Sequence, residues 1–442
     1  MILRVLATAF ALAAPSVGPN VDVSNLPGAQ SETAITIDPT NDQTLLAGSN
    51  SLAEGTMRAY GSTDGGATWR ATTVVPKPEK PADACAADPG VGIDNEGRQY
   101  FSFIRSTPCQ LGHPHLYVSS RSGPDEGWGA PVLVSPLGGA RFDDKPALAV
   151  DRSSASPYAN RVYTAWTRVA HNGTFIILVS SSDGGRTWSK PVKANRTGEQ
   201  LSYVTLATSR KGTLYVGWHD ISAFHLNVAM SPDGGRTFCG EHQVAAFAIV
   251  TIPSCAAGIV IPAQKRTCVQ PNPSVSVDTS SGRYAGRVYV TYTLTDFQGD
   301  KGIAVTVFDS RLRPLAGYPV RKQPLLIAPA PPSANADQFW PASAVDPSDG
   351  TLWACFYDTR GDPKRTRAFY SCAYSTDGGV TWTKPVRVAS AASDETKDAA
   401  DSREYGDYEG LAVANGVAHP IWTDGRRLAA RGEEVYTATV RR

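Results

Sequence analysis

The chain lacks most of what would point to the commoner enzyme classes. Its 442 residues carry 42 basic against 41 acidic side chains and no polybasic run, so there is no nucleic-acid or anionic-membrane footprint. Beyond the first fourteen residues, no stretch reaches the roughly 18 apolar residues a spanning helix needs. There is no GxSxG elbow, no HExxH and no phosphate loop. The seven cysteines form no CxxC pair, and His113-Pro114-His115 and His219 fall on different blades' loops, so no metal or cofactor is called for. Calcium in an acidic mouth, through Asp143, Asp144 and Asp407, is the weaker reading. Extended helical periodicity is missing too, because 40 glycines and 32 prolines interrupt the chain throughout.

What is present is a repeat. Ser181-Ser182-Asp183-Gly184-Gly185-Arg186-Thr187-Trp188 recurs as Ser-x-Asp-Gly-Gly-x-Thr-aromatic at residues 62–69, 231–238 and 375–382, with a weaker echo at 122–128. Gly184 and Gly185 permit positive φ, the Asp and Thr side chains can bond to turn amides, and the aromatic plugs apolar surface. A longer period runs through the chain. Apolar segments at 34–38, 91–94, 147–151, 204–208, 274–278, 342–346 and 411–414 are each followed by a strand rich in Val, Tyr and Trp. Their ends are spaced by 56, 57, 57, 70, 68 and 68 residues, which makes seven units. Four strands per unit, with alternation and β-branched content, predict an all-β propeller of four-stranded antiparallel blades. Seven blades are predicted, with six the alternative if the first or last unit is degenerate. The last unit has room for three strands, and residues 20–24 can supply its fourth, closing the ring and covering exposed edges.

Residues 1–13 read as a secretory signal, with an apolar run and the small-residue site Ala11-Leu12-Ala13. Residues 14–442 form one domain, expected outside the cytoplasm, secreted or periplasmic. Cys85 with Cys109, and Cys355 with Cys372, are candidate disulfides; among Cys239, Cys255 and Cys268 one pair leaves one thiol over. The segments 246–268 and 323–336 read as loops over a face or rim.

The box resembles the Asp-box, or BNR repeat, of sialidases and other secreted β-propellers, where it is structural. The resemblance implies that Asp64, Asp183, Asp233 and Asp377 brace turns. Chemistry is then expected on the opposite face, where second strands end and inner strands begin. Second strands end at Arg105, Arg168, His219 with Asp220, Asp358 with Arg360, and Asp424 with Arg426. Ahead of the inner strands stand Glu32, Asp88, residues 143–145, Tyr203, Asn272, Asp337 with Gln338, and residues 405–409. An arginine fork suits a carboxylate, yet Asp-x-Arg pieces at matching positions can equally be ion pairs that hold the ring.

Sialidases use a tyrosine nucleophile assisted by a glutamate, an aspartate acid/base and three arginines on the sugar carboxylate. By that resemblance Tyr408 is the nucleophile, Glu409 its assistant, and Asp144 or Asp337 the acid. Arg168, Arg360, Arg426 and Arg105 hold the substrate, with Asp407 and Asp424 beside them. The Gly406–Gly410 stretch occurs once in the chain, as expected of a site rather than a repeat. Two departures are plain: sialidases have six blades, and Glu32-Thr33-Ala34-Ile35 stands where they have Arg-Ile-Pro. Two functions follow from this reading. One is a sialidase-like hydrolase of terminal, acidic sugars; the other is a non-catalytic propeller binding glycan or a protein partner. Either acts as a monomer, without nucleic acid or membrane insertion.

Overall fold

The computed structural model describes residues 13–75, 84–109, 113–134, 136, 140–247, 250–252, 255–295, 301–315, 325–327, 336–397, 399–400 and 405–442. The proposed signal segment lies almost wholly outside these residues, as does most of the 323–336 loop. Seven blade sheets surround one channel, and an eighth, three-stranded sheet accompanies them among the described residues. Blade 1 runs through Gln30–Asp38, Asn41–Ser51, Thr56–Ser62 and Arg70–Thr73. Blade 2 begins with Cys85–Ile93, blade 3 with Ala140–Val150 and blade 4 with Leu201–Thr208. Blades 5, 6 and 7 begin with Ser274–Val277, Gln338–Val345 and Gly410–Ala414. Among the described residues no helix is long and apolar enough to cross a membrane.

Blade 7 is closed by the other end of the chain. Val21–Asp22 pairs antiparallel with Glu434–Thr437, and Ser16–Val17 with Val440–Arg441. Asp22 adds an ion pair with Arg427 at 2.5 Å. This N-terminal clasp is the predicted one, and it gives the last blade the outer strand that a ring needs at its seam.

The box turns behave as their residue types dictate. In blade 3 the Asp183 carboxylate accepts from Ser181 Oγ (2.8 Å), Thr187 N (2.9 Å) and Thr187 Oγ1 (2.6 Å), while Gly185 N donates to Ser181 Oγ at 3.0 Å. Asp64, Asp233 and Asp377 repeat the arrangement. Large aromatics fill the sheets' interfaces: Trp166, Trp218, Trp353 and Trp422 are all fully buried. Cys85–Cys109 and Cys355–Cys372 are disulfides, Cys268 is disulfide-bonded, and Cys239 is the free thiol.

The inner strands start earlier than the sequence pattern suggests. Register shifts interrupt five of them, between Ser31 and Ala34, Ala87 and Gly90, Asp144 and Ala147, Ser202 and Thr205, and Phe339 and Ala342. At each shift the first unpaired residue sits in the left-handed region: Glu32 (φ 55°), Asp88 (64°), Lys145 (52°), Tyr203 (56°) and Trp340 (46°). A bulge adds a residue to one strand and re-aims its side chain. These five bulges set which side chains meet at the channel. The 246–268 segment also departs from a plain loop, forming strands Val250–Ile252, Cys255–Ile261 and Gln264–Val269. Ile259 and Ile261 pack into the core shared with Phe339, Trp340 and Tyr405.

Candidate active site

The bulge residues converge on the channel, and together with Asn272 and Tyr408 they supply one position from each of the seven blades. Lys145 is the hub. Its ammonium pairs with Asp407, and lies 3.6 Å from Glu32 Oε1 and 3.8 Å from Asp88 Oδ1. Burial works against that charge, but the carboxylates of Asp407, Glu32 and Asp88 outweigh it and hold Lys145 well above the ordinary lysine value. For Asp88 burial opposes ionisation, and the Lys145 ammonium prevails, so its carboxyl is held below the usual range. Asn50 ties two blades by donating to Glu32 Oε2 (2.8 Å) and accepting from Asp88 N (2.9 Å).

Tyr408 points its hydroxyl into this cluster. Oη donates toward Asp88 Oδ1 at 3.3 Å and Glu32 Oε2 at 3.5 Å. Lys145 Nζ lies 5.8 Å from the Tyr408 ring and 5.3 Å from that of Tyr203. Burial and then the Asp88, Glu32 and Asp407 carboxylates push the phenol well above its ordinary value. A cavity of about 270 Å³ opens here, lined at the ring by Lys145, Tyr203, Asn272, Trp340, Asp407 and Tyr408. Asn272 Nδ2 donates to the Asp407 carbonyl at 2.7 Å. A larger cavity of about 870 Å³ lies at the Asp-box end, between the turns at Asp38–Asp42 and Arg152–Ser154. It holds none of the ring residues.

Glu409 lines the same cavity, but its carboxyl is engaged away from Tyr408. Its carboxyl accepts from Tyr357 Oη at 2.5 Å and Thr423 N at 3.0 Å, and contacts Thr33 Oγ1, knitting blades 6, 7 and 1. Burial pushes this carboxyl up to about 8, against the hydrogen bonds it receives. The carboxylates that face the Tyr408 hydroxyl are Glu32 and Asp88 instead. Both stood in the sequence ahead of inner strands without an assigned role.

The arginines are occupied. Arg168 grips Asp143 through Nε (2.8 Å) and Nη2 (3.0 Å), and Asp143 also accepts from Trp166 Nε1 at 2.7 Å. Arg360 Nε donates to Asp358 at 2.5 Å. Arg426 makes the matching contacts to Asp424 at 2.8 and 2.7 Å, and reaches Asn20 of the clasp at 3.0 Å. Trp422 Nε1 donates to Asp424 as well, at 2.7 Å. Arg105 is half-buried near the end of its strand, paired through backbone with His115. Asp337 is buried and paired with Arg365 at 3.3 Å. Asp144 is half-buried directly before Lys145. None of these residues lines the cavity that holds Tyr408 and Asp407. The ring unites Tyr408 and Asp407 with Lys145, Glu32 and Asp88, while the arginines brace their own blades.

A BNR/Asp-box repeat model matches residues 373–384, the box of blade 6. No curated protein matches the chain. A protein of unknown function from Dyadobacter fermentans superposes with a TM-score of 0.51 at 11% identity, over 96% of this chain and 99% of its own. The Hadza microbial sialidase Hz136 gives 0.48 at 15% identity, over 89% and 73%. An α-L-arabinofuranosidase from Fusarium graminearum, bound to an iminosugar inhibitor, gives 0.49 at 13% identity, over 96% and 98%. The repeat match and the likeness to the Dyadobacter protein both concern architecture, and they agree with the sheets: this chain is a seven-bladed β-propeller carrying Asp-box repeats.

Proposed function

We propose that the protein is an exported, sialidase-like glycoside hydrolase acting on a terminal sugar, with Tyr408 as nucleophile. One observation carries the reading: the Tyr408 hydroxyl lies within reach of two carboxylates, Asp88 at 3.3 Å and Glu32 at 3.5 Å, beside a cavity at the channel's inner end. A phenol this buried is a poor nucleophile unless its proton has somewhere to go. Asp88, held ionised by Lys145, supplies that acceptor. In the first step the phenolic oxygen bonds to the anomeric carbon, the glycosidic C–O bond breaks, and the phenolic proton passes to Asp88. The leaving oxygen takes a proton from a carboxylic acid, a role the sialidase resemblance leaves to Asp144 or Asp337. Water then attacks the anomeric carbon and gives its proton to the carboxylate left by the acid, the bond to the tyrosine oxygen breaks, and Asp88 returns its proton to the phenolate. Tyrosine in place of a carboxylate nucleophile is the pattern sialidases use.

Purified protein and a Tyr408→Phe variant, assayed for release of methylumbelliferone from a panel of glycosides, test this. Wild type is expected to turn over at least one glycoside, and the variant to lose roughly 10³-fold or more. A 2-fluoro glycoside should add its sugar mass to the peptide carrying Tyr408. No release across the panel, or full activity in the variant, refutes the proposal.

A further inference from the structure

The ring also points to the kind of sugar. We infer that the site takes an uncharged, hydroxyl-rich glycone and turns acidic sugars away; this rests on the glycosidase reading above and adds its substrate class. Three carboxylates, Glu32, Asp88 and Asp407, surround the ammonium of Lys145, so negative charge is in excess at the ring that borders the cavity, where Lys145 and Asp407 line it. Three of the four arginines expected to grip an acidic sugar are spent, since Arg168, Arg360 and Arg426 each hold an aspartate of their own blade, and the fourth, Arg105, does not line the cavity. A sugar carboxylate brought to the ring meets like charge in a half-desolvated place, where repulsion is strong.

Two further atoms favour hydroxyls. Asn272 Oδ1 and Trp340 Nε1 have no hydrogen-bond partner, although both side chains are buried (8% and 2% exposed) and both residues line the cavity. One is an acceptor and the other a donor. A hydroxyl answers both because it donates and accepts, whereas an ionised carboxylate only accepts. The cavity, about 270 Å³, is smaller than the roughly 300–1,000 Å³ that drug-sized ligands occupy, which suits one sugar ring rather than a chain.

The test compares kcat/KM for methylumbelliferyl glycosides with a common leaving group. Neutral pentosides and hexosides in both anomers are set against the N-acetylneuraminide and the glucuronide. The best neutral substrate is expected to exceed both acidic ones by about 100-fold or more. Asp407→Asn, verified as folded by circular dichroism, releases Lys145 from its shortest ion pair and should narrow that gap about tenfold. Should the variant not fold, the wild-type ratio alone decides. Acidic glycosides equal to or better than neutral ones, in activity that Tyr408→Phe abolishes, would overturn the sugar class and leave the hydrolase standing. Silence on every glycoside would remove both.

Discussion

Glu409 offers a measurement that separates burial from catalysis. Its carboxyl accepts from Tyr357 Oη and Thr423 N at one oxygen, and the other oxygen meets Thr33 Oγ1. Thr33 Oγ1 can donate instead to the Ile421 carbonyl at 3.1 Å. That leaves the threonine oxygen free to accept a proton from Glu409, so the neutral acid satisfies every group and the anion does not. Burial raises the carboxyl from 4.5 to about 8. The sign follows. The native state keeps a proton that the unfolded chain releases near 4.5, so this contribution is complete below that pH and is lost as pH rises through about 8. The full loss, at about 1.4 kcal/mol per pH unit over the gap, is roughly 5 kcal/mol. At the entropy of unfolding usual for a chain of this size, that is about 5 °C in Tm. Glu409→Gln removes the titration yet keeps the geometry, since its amide oxygen serves Tyr357 and Thr423 and its NH₂ serves Thr33. Thermal unfolding from pH 5 to 9 should show the two proteins alike in acid and the variant more stable in alkali. Parallel curves across that range would refute the reasoning. A variant uniformly weaker at every pH would mean that the network requires the charge.

Two other outcomes follow from the framework of the ring. Asp183→Ala strips the acceptor from Ser181 Oγ, Thr187 N and Thr187 Oγ1, and leaves the turn amides short of a partner. A loss of about 2 kcal/mol in urea unfolding is expected, with glycoside kinetics unchanged. Deleting residues 14–24 removes the strands paired with Val440–Arg441 and Glu434–Thr437, together with the Asn20 contact to Arg426. Size-exclusion chromatography should then show self-association through the bared edge of blade 7, alongside a lower Tm.

The blade count was readable because its signals are local. An Asp-box is complete within eight residues, and its hydrogen bonds run between positions two to four apart, such as Ser181, Asp183 and Thr187. The disulfides were readable for a related reason: Cys355 and Cys372 face each other on adjacent strands of one blade, within a single hairpin. The inner strands were harder. In four blades a proline follows the channel residue, at Asp88-Pro89, Lys145-Pro146, Asn272-Pro273 and Trp340-Pro341. Proline inside a strand ordinarily marks an edge, a first residue or a bulge. Read as a boundary, it leaves Asp88, Lys145 and Asn272 ahead of the inner strands rather than within them. Read as a bulge repeated at one structural position, it would have marked the ring.

The arginines were ambiguous for a deeper reason. Asp358-Thr359-Arg360 and Asp424-Gly425-Arg426 carry the same residue types whether the guanidinium turns back to its own aspartate or forward to a ligand, and only geometry decides. What decides it here is the cost of leaving Asp143, Asp358 and Asp424 buried without a counter-charge: breaking such a pair typically costs 3–5 kcal/mol, more than a weakly bound sugar returns. The channel residues face the opposite balance. Non-glycine side chains held in the left-handed region cost about 1–3 kcal/mol each, and such strain persists only where the surrounding structure over-determines it. Five such residues, Glu32, Asp88, Lys145, Tyr203 and Trp340, turn toward one channel. A ring that needed only to close could have used glycine at those positions. Charged and aromatic side chains there place the selective pressure on what the side chains meet, which is why the site is better sought at the bulges than among the arginines.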